Sequence, residues 1–190
     1  STPDWVGGIT NTFRYKNFDF SFLIDVKKGG IIYSASTGKM LTNGMTSETL
    51  FGRDDYYIRK EIWGESDSEL SGGAWFDAVY SDGTPANKFM SPQSYAYCKP
   101  NYAEFTIYDA SYVKLRELTL GYTFPNQWMS KIKIQRLRLA FVGRNLWTIH
   151  KKTPQGFDPE ASQTSGNGQG IENGSLPPNA VYGFDIKLTF

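Results

Sequence analysis

The chain is 190 residues long, with 20 basic residues against 19 acidic and a net charge of +1, so it lacks the basic excess of a nucleic-acid-binding surface. One cysteine and one histidine exclude an internal disulfide framework, a cysteine-cluster metal site and a histidine relay, and neither metal nor cofactor is expected. No apolar run approaches the ~18 residues of a membrane-spanning helix; the mean hydropathy of −0.44 excludes a helical membrane protein but not a β-barrel, whose strands alternate their faces.

Five segments alternate with a period of two, the signature of strands with unlike faces. The first, 5–15, sets Trp5, Gly7, Ile9, Asn11, Phe13 and Tyr15 against Thr10, Thr12 and Arg14. The second, 18–27, sets Phe18, Phe20, Phe22, Ile24 and Val26 against Asp19, Ser21, Leu23, Asp25 and Lys27. Only Lys16 and Asn17 separate the two, which predicts a tight hairpin. A long connection, 28–110, leads to the third segment, 111–124. There Leu118, Leu120, Tyr122 and Phe124 oppose Glu117, Thr119, Gly121 and Thr123, and Pro125, with no N–H to give a ladder, closes it. The fourth, 134–146, sets Leu137, Leu139 and Phe141 against Arg136, Arg138 and Arg144. A stretch rich in Gly, Asn, Ser and Pro, 147–179, precedes the fifth, 180–190, where Tyr182, Phe184, Ile186, Leu188 and Phe190 oppose Asp185 and Lys187. Gly7, Gly8, Gly121, Gly143 and Gly183 suit close packing or bending within strands.

The expected fold is therefore all-β and antiparallel. Short turns alternate with long connections, which in a meander gathers the turns at one end and the loops at the other, as in outer-membrane barrels. The apolar face admits two readings. In a soluble sandwich it is the inner core; in a membrane barrel it meets lipid, and the charged face lines the lumen. Alternation alone does not separate them. Three features favour the membrane: aromatics near strand ends (Trp5, Tyr15, Phe18, Tyr122, Phe124, Trp128, Trp147), the greasy flanks of the first turn, and the aromatic last residue, Phe190. Five strands cannot close a bacterial barrel, whose smallest form has about eight, so this reading makes the chain a C-terminal fragment.

Specific stretches then accumulate in order: PDWVGGITNTFRYKNFDFSFLIDV near the start, GRDDYYI at 52–58, DASYVKLRELTLGYTFP at 109–125, FVGRNLWTI at 141–149, GFDPEA at 156–161 and YGFDIKLTF at the close. Together they resemble the C-terminal part of SusC/RagA-type TonB-dependent outer-membrane transporters, over essentially the whole chain. The resemblance implies the last five strands of a 22-stranded, plugged barrel with long extracellular loops at 28–110 and 147–179, a fold class that does use about 22 strands. It implies that the plug and the TonB-contacting segment lie N-terminal to Ser1, that a SusD-like lipoprotein forms a lid, and that an oligosaccharide or peptide is imported through TonB across the outer membrane of a Gram-negative, Bacteroidota-type bacterium. A soluble carbohydrate-binding β-sandwich and a non-transporting structural barrel are the alternatives.

On the membrane reading Phe20, Phe22, Leu118, Leu120, Tyr122, Leu137, Leu139, Phe184, Leu188 and Phe190 face lipid or form girdles. Asp19, Asp25, Glu117, Arg136, Arg138, Arg144, Asp185 and Lys187 face the lumen. Lys114 and Arg116 are expected on the outward face, within reach of lipopolysaccharide phosphates. No enzymatic activity is expected. Asp54, Asp55, Glu65, Asp67 and Glu69 are loop carboxylates without the spacing of an EF-hand. Sugars are gripped by flat aromatic rings, and Tyr56, Tyr57, Trp63, Trp75, Phe76 and Tyr80 supply them for ligand or lid; the competing role is to pack the long loop on itself.

Overall fold

A computed structural model of the protein describes residues 2–50, 53–54, 74–76, 79–85, 88–129, 133–154, 156–162, 166 and 169–190. In chain order its elements are β1 (Trp5–Tyr15), β2 (Phe18–Lys28), β3 (Ile31–Ser34), α1 (Ala35–Thr42), β4 (Ala74–Phe76), β5 (Lys88–Met90), α2 (Pro92–Cys98), β6 (Ile107–Asp109), β7 (Tyr112–Thr123), α3 (Asn126–Met129), β8 (Arg136–Lys151), β9 (Ile171–Glu172) and β10 (Val181–Thr189). They fall into two compact units. One holds residues 1–32, 108–171 and 175–190; the other holds 33–107 and 172–174.

The first unit is built on a five-stranded antiparallel sheet in the order β1-β2-β7-β8-β10. Lys16 takes a positive φ of 52° in the two-residue turn from β1 to β2, which lets the register close with Tyr15 opposite Phe18. α3 sits in the connection from β7 to β8, where sequence periodicity gives only a turn. β8 is longer than expected and continues through Lys151, because Trp147, Thr148, His150 and Lys151 keep pairing with β7.

One apolar row crosses all five strands: Phe13 opposite Phe20, Phe20 opposite Leu120, Leu120 opposite Phe141, and Phe141 opposite Phe184. The rings touch along it, with Phe13 and Phe20 centroids 6.3 Å apart and Phe141 and Phe184 5.8 Å apart. Among the described residues of the unit nothing covers this face: Phe184 is 83% exposed, Ile186 63% and Leu120 49%. So contiguous an exposed apolar surface is far larger than the scattered hydrophobics of an ordinary soluble surface and marks a face built to meet lipid or protein. The opposite face is polar, and no described helix is long and apolar enough to cross a membrane.

Alternation is broken once inside β7. Leu115 pairs with Ile24 and Glu117 with Leu23, leaving Arg116 as an extra residue. A bulge of this kind puts two successive side chains on one side of the sheet. Below it Glu117, Thr119 and Gly121 share the polar face with Asp19 and Ser21; above it Tyr112 and Lys114 do, with Asp25 and Lys27. This corrects the expected outward placement of Lys114 and Arg116. Lys114 is only 5% exposed, and both side chains are held by carboxylates on the polar face.

The second unit has its own small core, with Leu41, Thr49, Ala96 and Thr106 all buried. α1 starts where the Ser34 hydroxyl accepts from the Thr37 amide, and α2 where Ser91 does the same for Ser94, with Pro92 in the first turn. The Glu172 carboxylate closes the unit, accepting from the Ser34 hydroxyl at 2.7 Å and the Ser36 hydroxyl at 2.6 Å. β4 and β5 form a hairpin with Trp75 opposite Phe89.

Candidate functional site

The polar face of the five-stranded sheet carries two charged clusters. At the short-turn end Arg138 of β8 reaches across β7 to Asp19 of β2, Nε to Oδ1 at 2.9 Å, and its Nη1 lies 3.4 Å from Asp185 of β10. The span is possible because the intervening residue is glycine. A Cβ at Gly121 would sit 2.5 Å from both Arg138 Nη2 and Asp19 Oδ1. Gly121→Ala is therefore expected to push the guanidinium and carboxylate apart and lower stability by about 1–3 kcal/mol, the cost of unsatisfying charged, partly buried groups. A thermal melt of the purified protein reads this; an unchanged midpoint would contradict the bridge.

At the long-connection end the cluster is larger and joins three distant stretches. Lys114 Nζ donates to both oxygens of Asp158 at 2.8 Å and to Glu160 at 2.6 Å. Arg116, the bulged residue, donates to Asp25 through Nε at 2.8 Å and also pairs with Glu160. The Tyr112 hydroxyl donates to Glu160 at 2.8 Å and sits 3.1 Å from Asp25. The segment carrying Asp158 and Glu160 is pinned by its backbone as well: Lys151 Nζ donates to the carbonyls of Pro154 and Phe157, and Asp158 accepts from the amide of Glu160. Nearby, Lys152 and Ser111 hold Asp109. Residues 152–154 and 156–161 thus fold back onto the polar side of the sheet.

The loop carboxylates respond to these neighbours. Burial pushes Glu160 up, but Arg116, Lys114 and Tyr112 outweigh it and bring it to about 2, against an ordinary 4.5. Asp109 is held at about 2 chiefly by Lys152, with Ser111 assisting. Because both folded values lie below the unfolded ones, the stabilisation is complete above about pH 4.5 and is lost as pH falls towards 2. Glu160→Gln is expected to flatten that acid limb in a pH titration of the folded fraction, measured by tryptophan fluorescence. A variant with the same acid slope as the parent would show that Glu160 does not carry it.

The expected polar-face residues fare unequally. Asp19, Arg138 and Asp185 come together, as do Arg144 and Glu117 at 3.0 Å, although that pair is exposed. Asp25 is taken by Arg116. Arg136 and Lys187 line a cleft with Arg14. The sequence reading missed Lys114, Asp158 and Glu160 as partners. The available signal was Arg116-Glu117: two adjacent charges in a strand with one apolar face require a bulge. Of the loop aromatics, Tyr56, Tyr57 and Trp63 lie outside the described residues, as do Asp55, Glu65, Asp67 and Glu69. Trp75 and Phe76 form β4, and Tyr80 is 55% exposed beside the turn that Gly83 closes. Among the described residues no group of three or more His, Cys, Asp or Glu is placed to hold a metal.

No family model matches the chain. Among curated proteins it is similar to two from Formosa agariphila, TonB-dependent receptor P3 and TonB-dependent receptor P26. Each is 27% identical, over 100% and 99% of this chain respectively. The chain spans only 16% and 17% of the length of those relatives. Among solved structures it superposes on the RagAB peptide transporter with a TM-score of 0.65 at 20% identity. On the RagAB peptide importer in its open-open state the TM-score is 0.58 at 22% identity. Each match covers all of this chain and 17% of the other. That likeness shows the fold: the sheet matches a fragment of a TonB-dependent barrel wall.

Proposed function

Taking as premise that this chain is a homologue of TonB-dependent receptors with the fold of a segment of their barrel wall, we propose that it forms part of an outer-membrane importer of nutrient oligomers. The observation that carries the reading is the uncovered apolar row Phe13–Phe20–Leu120–Phe141–Phe184, backed by a charged opposite face. A barrel wall needs this division, with an apolar band to lipid and a polar lining within. The strands, 9 to 16 residues long, are long enough to cross a bilayer at about 9–11 residues each. On this reading the apolar set named from the sequence meets lipid and the charged set lines the lumen.

The imported material is an oligosaccharide or a peptide, energised through TonB with a plug inside the barrel and a SusD-like lipoprotein as lid. The peptide importers among the structural neighbours favour the peptide member of that pair. The test is uptake by the native bacterium. Deleting the full-length gene should abolish growth on one defined class of oligomer, and a protonophore should mimic the deletion. Purification without detergent as a small, monodisperse protein would overturn the proposal in favour of a soluble sandwich.

A further inference from the structure

We propose that the apolar side of the five-stranded sheet ends, at its long-connection end, in a binding site for a phosphorylated glycolipid headgroup of the outer leaflet. This rests on the barrel-wall reading above, in which that side meets lipid. Beyond the row of Phe20 and Phe141, pairing sets Ile9, Ile24, Leu115 and Trp147 in one cross-strand row. Gly7, Val26, Val113 and His150 form the next. Trp5 and Lys28 pair one step further out on the same side. The apolar side thus changes character at this end, where a lysine and the single histidine join two tryptophans. All four side chains are exposed, Trp5 at 50% and Trp147 at 63%.

The level of this group matches a membrane interface. β2 runs 11 residues from Phe18 to Lys28. At ~3.4 Å per residue and a tilt of ~40°, that is roughly 26 Å along the membrane normal, close to the ~25 Å height of a barrel's apolar band. With short turns on the periplasmic side, Phe18 marks the inner interface and Lys28 the outer one. A lysine at that level keeps its stem in the apolar layer and its ammonium among headgroups. Lys28 is free to take an anion: among the described residues no carboxylate lies within ion-pair distance of it. Its neighbour Asp4 lies against Gly29, and Lys152 already pairs with Asp109. The donors suit phosphate oxygens, with three N–H groups on the ammonium and further ring N–H groups on His150 and the indoles. Lys28 and His150 stand two strands apart, roughly 10 Å at ~4.8 Å per spacing. A sugar headgroup carrying phosphate spans that width, and a lone inorganic phosphate does not. The indoles add flat apolar faces for its sugar rings and acyl chains, with a polar tip at the interface.

The test uses the full-length native protein purified in detergent, with retained lipid read by native mass spectrometry. The protein is incubated with lipopolysaccharide from the native membrane, with the same lipid after phosphatase treatment, or with phosphatidylglycerol. The parent is expected to retain the intact lipopolysaccharide and to lose it on dephosphorylation. K28Q/H150Q should retain about tenfold less, the scale of a lost charge-assisted hydrogen bond, and K28R should retain as much as the parent. The heat-modifiable band shows that each variant is folded. Equal retention by K28Q/H150Q would overturn the proposal, as would equal retention of the dephosphorylated lipid or a preference for phosphatidylglycerol. The phosphatase arm needs no variant, so it decides the matter even where a substitution impairs folding. Lipid retention is read independently of uptake, so its failure is distinguishable from failure of the transport reading.

Discussion

Leu120→Arg is expected to cost roughly 2–4 kcal/mol of membrane insertion, the penalty for a cationic side chain at the mid-bilayer on a barrel's lipid face. Leu120 lies on the row where Phe20 and Phe141 flank it, four residues further along β8 from the short-turn end than the level of Leu188. At 1.4 kcal/mol per tenfold, that penalty is a drop of roughly 30- to 700-fold in the folded-to-unfolded ratio. Folded yield is measured as the heat-modifiable band of the full-length protein in outer-membrane fractions. Leu188→Arg supplies the internal comparison. Leu188 pairs with Leu137, one residue from the end of β10, so its Arg sits near an interface where the penalty falls to about 0–1 kcal/mol. The expected order is a severe loss for Leu120→Arg and a mild one for Leu188→Arg. Equal, negligible effects would place the apolar face in water; equal, severe effects would place it in a protein core.

Lys114→Met is expected to free the segment carrying Asp158 and Glu160 from the sheet. Lys114 is among the least exposed charged side chains described, and its methionine replacement keeps the volume but leaves Asp158 and Glu160 facing each other without their shared cation. Removing one partner of a buried ion pair typically costs about 3–5 kcal/mol, more than the pair itself contributes, because a charge stays behind undischarged. Trypsin reports this directly, since Lys151 and Lys152 flank the pinned segment. Cleavage there should rise by at least about 100-fold if release costs 3 kcal/mol or more. K114M/D158N should recover part of the loss, as expected for residues in direct contact. Unchanged cleavage in K114M would mean that Arg116 and Tyr112 on Glu160, with the Lys151 ammonium on the loop carbonyls, hold the segment without Lys114.

Much of the sheet was legible beforehand because period-two alternation is a strong signal where one face is uniformly apolar. β2 is the clearest case, with Phe18 to Val26 on one side and Asp19 to Lys27 on the other, and its register follows. α3 was not legible. A helix of four residues, Asn126–Met129, has no periodicity to detect. The charged clusters were half legible. Arg138 with Asp185 could be foreseen because they belong to facing strands, whereas Lys114 with Asp158 depends on a loop whose course no local pattern records. The misplacement of Lys114 and Arg116 has one cause: alternation was counted through residue 116 as though the strand were regular.

That irregularity resembles an antiphase boundary in a crystal, where two ordered domains meet half a period out of step. On one side of Arg116 the odd-numbered residues of β7 are polar-facing; on the other, the even-numbered ones are. The two halves of the strand therefore obey opposite rules of substitution. An apolar residue tolerated at an even position in 118–122 would be misplaced at 112 or 114. Deleting Arg116 would remove the fault and leave one unbroken alternation, with every other side chain of β7 on the face it already occupies.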